Sequence, residues 1–292
     1  NSTVFKLFVD IYDRGSKLKA GTYELNASMS IREVLDIISS GESSDDVVTV
    51  FLPEGATVSD LADRLINLGL IQDKNAFLEH MKDPSPYQEY AFIDAIADSK
   101  DSRIITMEGY LFPDTYFVYN TASEKDIIDK FLVQFNNVFN DEYQRRADEL
   151  DMTVDEVITL ASLIQKEAKE KDFAKVSAVF HNRLKTNSTL GSDVTVQYVL
   201  NSKKLNLSTE DIEVDSPYNT YKYPGLPPGP ICNPGRAAIE AALWPDEDYI
   251  EQNMLYFCLA DPNTNELVFA KTLEEHNQNV EKYRPLWEAY DA

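Results

Sequence analysis

The chain has 292 residues, room for two domains of ordinary size, and its 43% hydrophobic content with 16 Tyr, 14 Phe and 2 Trp supplies a sizeable core. A formal charge of −23 repels phosphate backbones and anionic membrane surfaces, which excludes nucleic acid as the main partner. Cys232 and Cys258 allow one bridge at most and match no zinc spacing, His80, His181 and His276 are too scattered for a metal centre, and no apolar run reaches the ~18 residues of a membrane span.

The first hundred residues contain a weak repeat. KAGTYELNASMSIREVLDIISSG and VTVFLPEGATVSDLADRLINLGL each read as a strand, a Gly-containing turn and a capped helix. Ser30 with Glu33 makes a capping box, and Thr57 with Asp60 makes a similar acidic start. Ile31, Val34 and Ile38 then correspond to Val58, Leu61 and Leu65 at core-facing spacing, although two unrelated amphipathic helices give the same pattern. Tyr23 reads as core. The polar run DSKDSR, residues 98–103, reads as a boundary.

MEGYLFPDTYFVY follows and is too aromatic for a solvated loop. Residues 124–150 read as one long, mostly polar helix. Thr153 and Glu156 form another capping box, opening a helix whose Val154, Val157, Ile158, Ala161, Ile164 and Ala168 keep the 3.6-residue period. The next helix, from about Phe173 to Lys185, turns Phe173, Val176, Phe180 and Leu184 inward, and SDVTVQYVL gives a short helix near 193–200. Between Ser216 and Pro245 lie seven of the 13 prolines, and because proline fixes φ this segment is a stiffened loop. MLYFCLADPNTNELVFA reads as a hairpin, and Thr272 with Glu275 opens a closing helix. This mixture of helices and few short strands points to an α+β fold.

The chemistry centres on ITLASLIQKEAKEKD, residues 158–172. Leu160, Leu163 and Ile164 precede Glu167 at helical offsets that place all four side chains on one flank, so Glu167 falls at the edge of the apolar stripe. Burial disfavours a carboxylate and lifts its pKa above the ordinary ~4.3. A Glu raised toward ~6 can donate a proton near neutral pH, as a general acid must. The same spacing also fits a polar helix end in which Glu167 pairs with Lys166, Lys169 or a distant Arg.

ITLASLIQKEA, VSAVFHNRL, SDVTVQY, SPYNTY, GLPPGPICNPG and TLEEHN, with EGYLFPDTY, LPEGATVSDLADRL and KAGTYELNASMSIREVLDIISSGE before them, occur here in one order. Together they resemble the endolytic murein transglycosylase (YceG-like) family over nearly the whole chain. The resemblance implies a LysM-like module in residues 1–100. A mixed α/β catalytic domain follows in residues 101–292, with the catalytic Glu on its central capped helix. It implies cleavage of peptidoglycan glycan strands without metal or cofactor, and partners among the proteins of wall synthesis and division. It also implies an extracytoplasmic enzyme held by one membrane-spanning helix upstream of Asn1. The family's catalytic glutamate is the second acidic residue of ASIIEKE, which falls on Glu167. The first falls on Gln165, and this departure puts in doubt any supporting role for a carboxylate there.

By motif and residue type, Tyr218, Asn219, Thr220 and Tyr221 are expected to line the cleft, Asn219 binding an N-acetyl group and the tyrosines stacking on sugar rings. A plain chain turn is the alternative. Asp193 and Gln197 suit substrate binding or helix capping. Glu108, Asp114 and Tyr116 are further cleft candidates, with Asp114 also suited to a turn. Gly225, Pro227, Pro228 and Gly229 are expected to shape the wall, and Arg183 and His276 to support it. Two other functions are open at this point: a hydrolase with Asp193 or Asp114 as base, and a wall-binding protein without catalysis.

Overall fold

A computed structural model describes residues 29–40, 47–96, 102–202 and 207–290, with isolated positions before residue 27. Helix α1 (Ile31–Ser40) opens with the expected box: Ser30 N donates to Glu33 Oε2 at 2.7 Å and Glu33 N to Ser30 Oγ at 3.2 Å. The strand expected before it lies largely outside the described residues. The second unit follows as β1 (Val47–Phe51), a turn at Gly55 with φ +75°, and α2 (Val58–Asn67) under the Thr57–Asp60 box. Val58, Leu61 and Leu65 are fully buried, whereas in α1 only Leu35 is. The two helices therefore share a start signal but not a degree of burial.

After α3 (Lys74–His80) and α4 (Phe92–Ile96), strand β2 (Thr115–Tyr119) pairs antiparallel with β1, from Val47 opposite Tyr119 to Phe51 opposite Thr115. This pairing joins the second unit to chain beyond residue 101, and one apolar core runs across both stretches. The end of DSKDSR is equally tied down. Arg103 is 8% exposed and ion-paired to Asp155 through Nη2, while its Nη1 donates to Thr106 O at 3.3 Å. Its carbon stem and its charge both find partners.

The long helix expected over 124–150 is two helices, α5 (Glu124–Val138) and α6 (Asp141–Glu149). Phe139 leaves the helical region at ψ 75°, and Asn140 accepts from Glu142 N and Tyr143 N as the new cap. Nor is α5 a solvated element: Ile127, Ile128, Phe131, Leu132, Phe135 and Val138 face the core.

Central to the molecule is α7 (Val154–Glu167), started by the expected Thr153–Glu156 box. The stripe read from its periodicity is narrower than its actual burial. Every residue from Val157 to Ile164 is buried, which is the pattern of a helix enclosed on all sides. α4, α6, α8 (Phe173–Lys185), α9 (Asp193–Leu200) and α11 (Arg236–Leu243) surround it, with the short α10 (Thr209–Ile212) beside α9 and α12 (Glu247–Glu251) against α8. Small residues on α7 admit the proline-rich backbone: Ser162 Oγ accepts from Ile231 N at 3.1 Å, and Cys232 Sγ donates to Ser162 O. A hairpin of β3 (Tyr256–Asp261) and β4 (Glu266–Ala270) carries α13 (Leu273–Tyr290), whose start uses Thr272 and Glu275 as expected. Both cysteines are free. Among the described residues no helix is long and apolar enough to cross a membrane, and no cluster of His, Cys, Asp and Glu is placed to hold a metal.

Candidate active site

α7 stops at Glu167 because Ala168 is extended, at φ −136° and ψ −179°, and the chain turns through Glu170–Asp172 into α8. Glu167 therefore sits on the last turn, where the unsatisfied carbonyls of a helix end oppose a negative charge. Leu160, Leu163 and Ile164 behind it are fully buried. Glu167 keeps partial solvent access while its carboxyl is packed among protein atoms. That desolvation lifts its pKa to about 7; a hydrogen bond from Ser192 opposes the rise, nearby Asp193 adds to it, and Arg183 counters it.

Four segments meet at this carboxyl. Ser192, at the start of α9, donates its hydroxyl to Glu167 Oε1. Asp193, the first residue of α9, accepts from the hydroxyl of Tyr221, which is 38% exposed. Arg183, on α8, is held by Leu255 O at 2.6 Å and Leu190 O at 2.5 Å, with its guanidinium 5.0 Å from the Tyr256 ring centre. Its partners are backbone carbonyls and a ring, a supporting arrangement. Gly191 suits this position because its φ of +54° lies in the left-handed region; a Cβ on it would make only an ordinary contact, 3.5 Å, with Arg183 Nη1. His276 stacks on Tyr256 at 5.3 Å, and burial, then the Arg183 charge, lowers its pKa.

The YNTY segment divides in two. Tyr221 faces the site, but the other three residues are interior. Asn219 is 0% exposed, with Nδ2 donating to Ile212 O and Val214 O at 2.8 Å each and Oδ1 accepting from Tyr221 N at 3.0 Å. Its polar groups are occupied and dry, so it shapes the turn and does not present its amide to a sugar. Tyr218 is 1% exposed against Tyr198, which likewise removes its ring from any sugar face. Thr220 is buried, and its Oγ1 accepts from Ser192 N at 3.0 Å. It acts on Glu167 through Ser192.

Gln197 is half-buried on α9, one turn beyond Asp193. Glu108 is elsewhere, 1% exposed, accepting from Val58 N at 3.0 Å, Asn233 Nδ2 at 3.2 Å and Tyr198 OH at 3.4 Å. It serves as an internal acceptor for the first amide of α2, with burial pushing its pKa up to about 8, not as a cleft residue. Asp114 accepts from Thr115 N and Gln134 Nε2, its turn role, and Tyr116 is a core ring against Phe131. Gln165 Oε1 accepts from Gly235 N at 2.8 Å, a task that a neutral amide performs as well as a carboxylate.

The proline-rich segment is clamped as well as stiff. Pro228 O accepts from Arg103 Nε at 3.1 Å, and Pro230 lies so close to Gly109 (φ +92°) that a Cβ there would be 2.5 Å from it. Gly229 lies under the Arg103 side chain, and Gly225 takes a φ of +88°. Two residues that motif reading passed over matter most. Asn233 accepts from Gly109 N and Leu111 N at 3.0 Å each and donates to Ala56 O at 2.9 Å, joining three segments. Ser192 touches the acid itself. Each is a small polar residue beside a proline or a helix start, where ordinary turn and cap chemistry accounts for it.

The YceG-like family pattern matches residues 1–282 of this chain. The endolytic murein transglycosylase of Bacillus subtilis is 36% identical over 285 residues, covering 93% of this chain and 75% of that protein. Its counterpart in Streptococcus pneumoniae is 32% identical over 291 residues, and there the chain spans only 52% of the relative's length. A crystal structure of the yceG-like protein lmo1499 from Listeria monocytogenes superposes with a TM-score of 0.68 at 34% identity, covering 95% of this chain and 90% of that one. By sequence and by fold, the chain belongs to the YceG-like family.

Proposed function

We propose that the protein is an endolytic lytic transglycosylase of peptidoglycan, with Glu167 as its general acid and then its base. Glu167 protonates the oxygen linking N-acetylmuramic acid to N-acetylglucosamine, and the C1–O bond breaks toward an oxocarbenium-like centre. The 6-hydroxyl of the same muramic acid attacks C1, and Glu167, now ionised, takes that hydroxyl's proton. A 1,6-anhydro end results and the acid is restored. Because no water attacks, one carboxyl suffices, unlike the pair of an ordinary glycosidase.

The observation that carries this reading is the place of Glu167 at the end of the enclosed helix, its Oε1 held by Ser192 and its carboxyl desolvated so that its pKa is pushed up to about 7. Such a group can both give and regain a proton within a turnover. The names of the relatives supply the substrate class. In this reading residues 1–100 form the LysM-like module and residues 101–292 the catalytic domain. A membrane helix outside this sequence holds the enzyme beyond the cytoplasm, beside proteins of wall synthesis and division. Tyr221, Asp193 and Gln197 contact the glycan.

Mass spectrometry of the ends released from purified wall tests the proposal. Anhydro-muramic ends are expected from the wild type and about 10²–10⁴-fold fewer from Glu167→Gln. Reducing ends would instead make the protein a hydrolase, the reading that Asp193's place beside Glu167 favours. Glycan binding without turnover would leave only a wall-binding role.

A further inference from the structure

Serine at the start of a helix normally turns its hydroxyl back to accept from the amides of the first turn. Thr57, Ser123, Thr153 and Ser208 all do so here, each within a capping box. Ser192 holds the same position on α9 and makes no such cap. The first turn of α9 is supported differently, by Thr195 Oγ1 donating to Ser192 O at 2.8 Å. The Ser192 hydroxyl, 2% exposed, is aimed the other way, at Glu167 Oε1. Its main chain is pinned in that pose. Ser192 N donates to Thr220 Oγ1 at 3.0 Å, Gly191 N donates to Thr220 O at 2.9 Å, and Thr195 Oγ1 lies 3.0 Å from Thr220 Oγ1.

We propose that Ser192 is a positioning residue for Glu167, donating its one hydroxyl hydrogen to Oε1 so that Oε2 is the oxygen that releases and regains the proton. The inference rests on the acid–base role given to Glu167 above. Among the described residues Ser192 Oγ has no acceptor other than Oε1. A hydrogen already lies on that side of the carboxyl, so a second on Oε1 would face it. The transferable proton therefore belongs to Oε2. Ser192 thus trades a local cap for a fixed carboxyl rotamer, and Thr220, from the YNTY segment, sets where Ser192 stands. The other charged or titratable groups facing the carboxyl are Asp193 from α9 and Arg183 from α8, with Tyr221 bound to Asp193.

A donor to Oε1 favours the ionised form, so its removal raises the proton affinity of Glu167. In Ser192→Ala, kcat/KM for release of anhydro ends is expected to fall about tenfold on its low-pH plateau, the loss of one hydrogen bond to a charged group. The alkaline limb of the profile, where the acid loses its proton, is expected to move to higher pH. Ser192→Thr, which keeps the hydroxyl, restores the limb. A plateau that falls while the limb stays in place would make Ser192 merely structural and overturn the proposal. If the alanine variant does not fold, Ser192→Cys carries the same comparison, its weak donor giving a shift in the same direction. Glu167→Gln run alongside separates the two ideas. An active glutamine variant sinks the acid role itself, whereas an inactive one with an unmoved limb in Ser192→Ala sinks only the role of Ser192.

Discussion

Glu108 and Glu167 are both held by burial above the ordinary carboxyl range, to about 8 and about 7, yet the protein surrounds them differently. Glu108 is wholly interior and accepts from the first amide of α2, from Asn233 and from Tyr198. Glu167 keeps partial access to solvent and, among the described residues, accepts from Ser192 alone. A perturbed carboxyl is therefore not a sufficient mark of a site. What distinguishes Glu167 is that, among the described residues, only its Oε1 receives a donor, on a residue that keeps partial solvent access.

The sharpest test of that contrast exchanges the two acids for amides. Glu167→Gln is expected to lower the yield of anhydro ends by about 10²–10⁴-fold, the usual worth of a general acid, with an unchanged circular dichroism spectrum. A glutamine at 108 that abolished turnover in a folded protein would reverse the assignment. Truncation of Glu108 to Ala should instead act on the fold. It strands the donors of Val58, Asn233 and Tyr198 in a dry interior, and about 2–4 kcal/mol should be lost in denaturant unfolding, with activity of the folded fraction within a few-fold of wild type.

pH sharpens the comparison further. Both groups hold their protons in the folded chain at pH values where an unfolded carboxyl has released them, so the folded state binds more protons between about 4.5 and about 8. The contribution of these two groups to stability is therefore fully present below that window and is lost as pH rises through it, and Glu108→Gln should flatten the upper part of the slope in urea titrations at a series of pH values. Activity, by contrast, should decline as pH passes about 7, where Glu167 loses its proton, and Glu108→Gln should leave that limb in place. The smallest effect belongs to Tyr221→Phe. It removes one partly exposed hydroxyl from Asp193 and should reduce kcat/KM by about two- to tenfold with no change in the type of product end.

Local rules were legible wherever a few neighbouring residues decide the outcome. The boxes at Ser30–Glu33, Thr57–Asp60 and Thr153–Glu156 need only a hydroxyl and an acid three residues apart, and all three are formed. The bounds of α8 and α9 and the hairpin of β3 and β4 follow from periodicity and turn residues in the same way. The break at Phe139–Asn140 was hidden because a phenylalanine followed by an asparagine also fits a helix interior; only the cap geometry reveals the stop. The polar roles depended on contacts between distant segments. Whether Asn219 meets a sugar or two backbone carbonyls, and whether Ser192 caps α9 or turns to Glu167, is decided by what α10 and α7 bring alongside. No spacing rule carries that information.

The seam between Gly109 and Pro230, locked by Asn233 and Arg103, bears on how this part of the fold can be re-engineered or can diverge. Its proline strip and its glycine-bearing counterpart form a matched lock although they lie far apart along the chain. Exchanging the strip alone for that of another species should give a misfitted hybrid, whereas moving both pieces together should carry the matched packing intact.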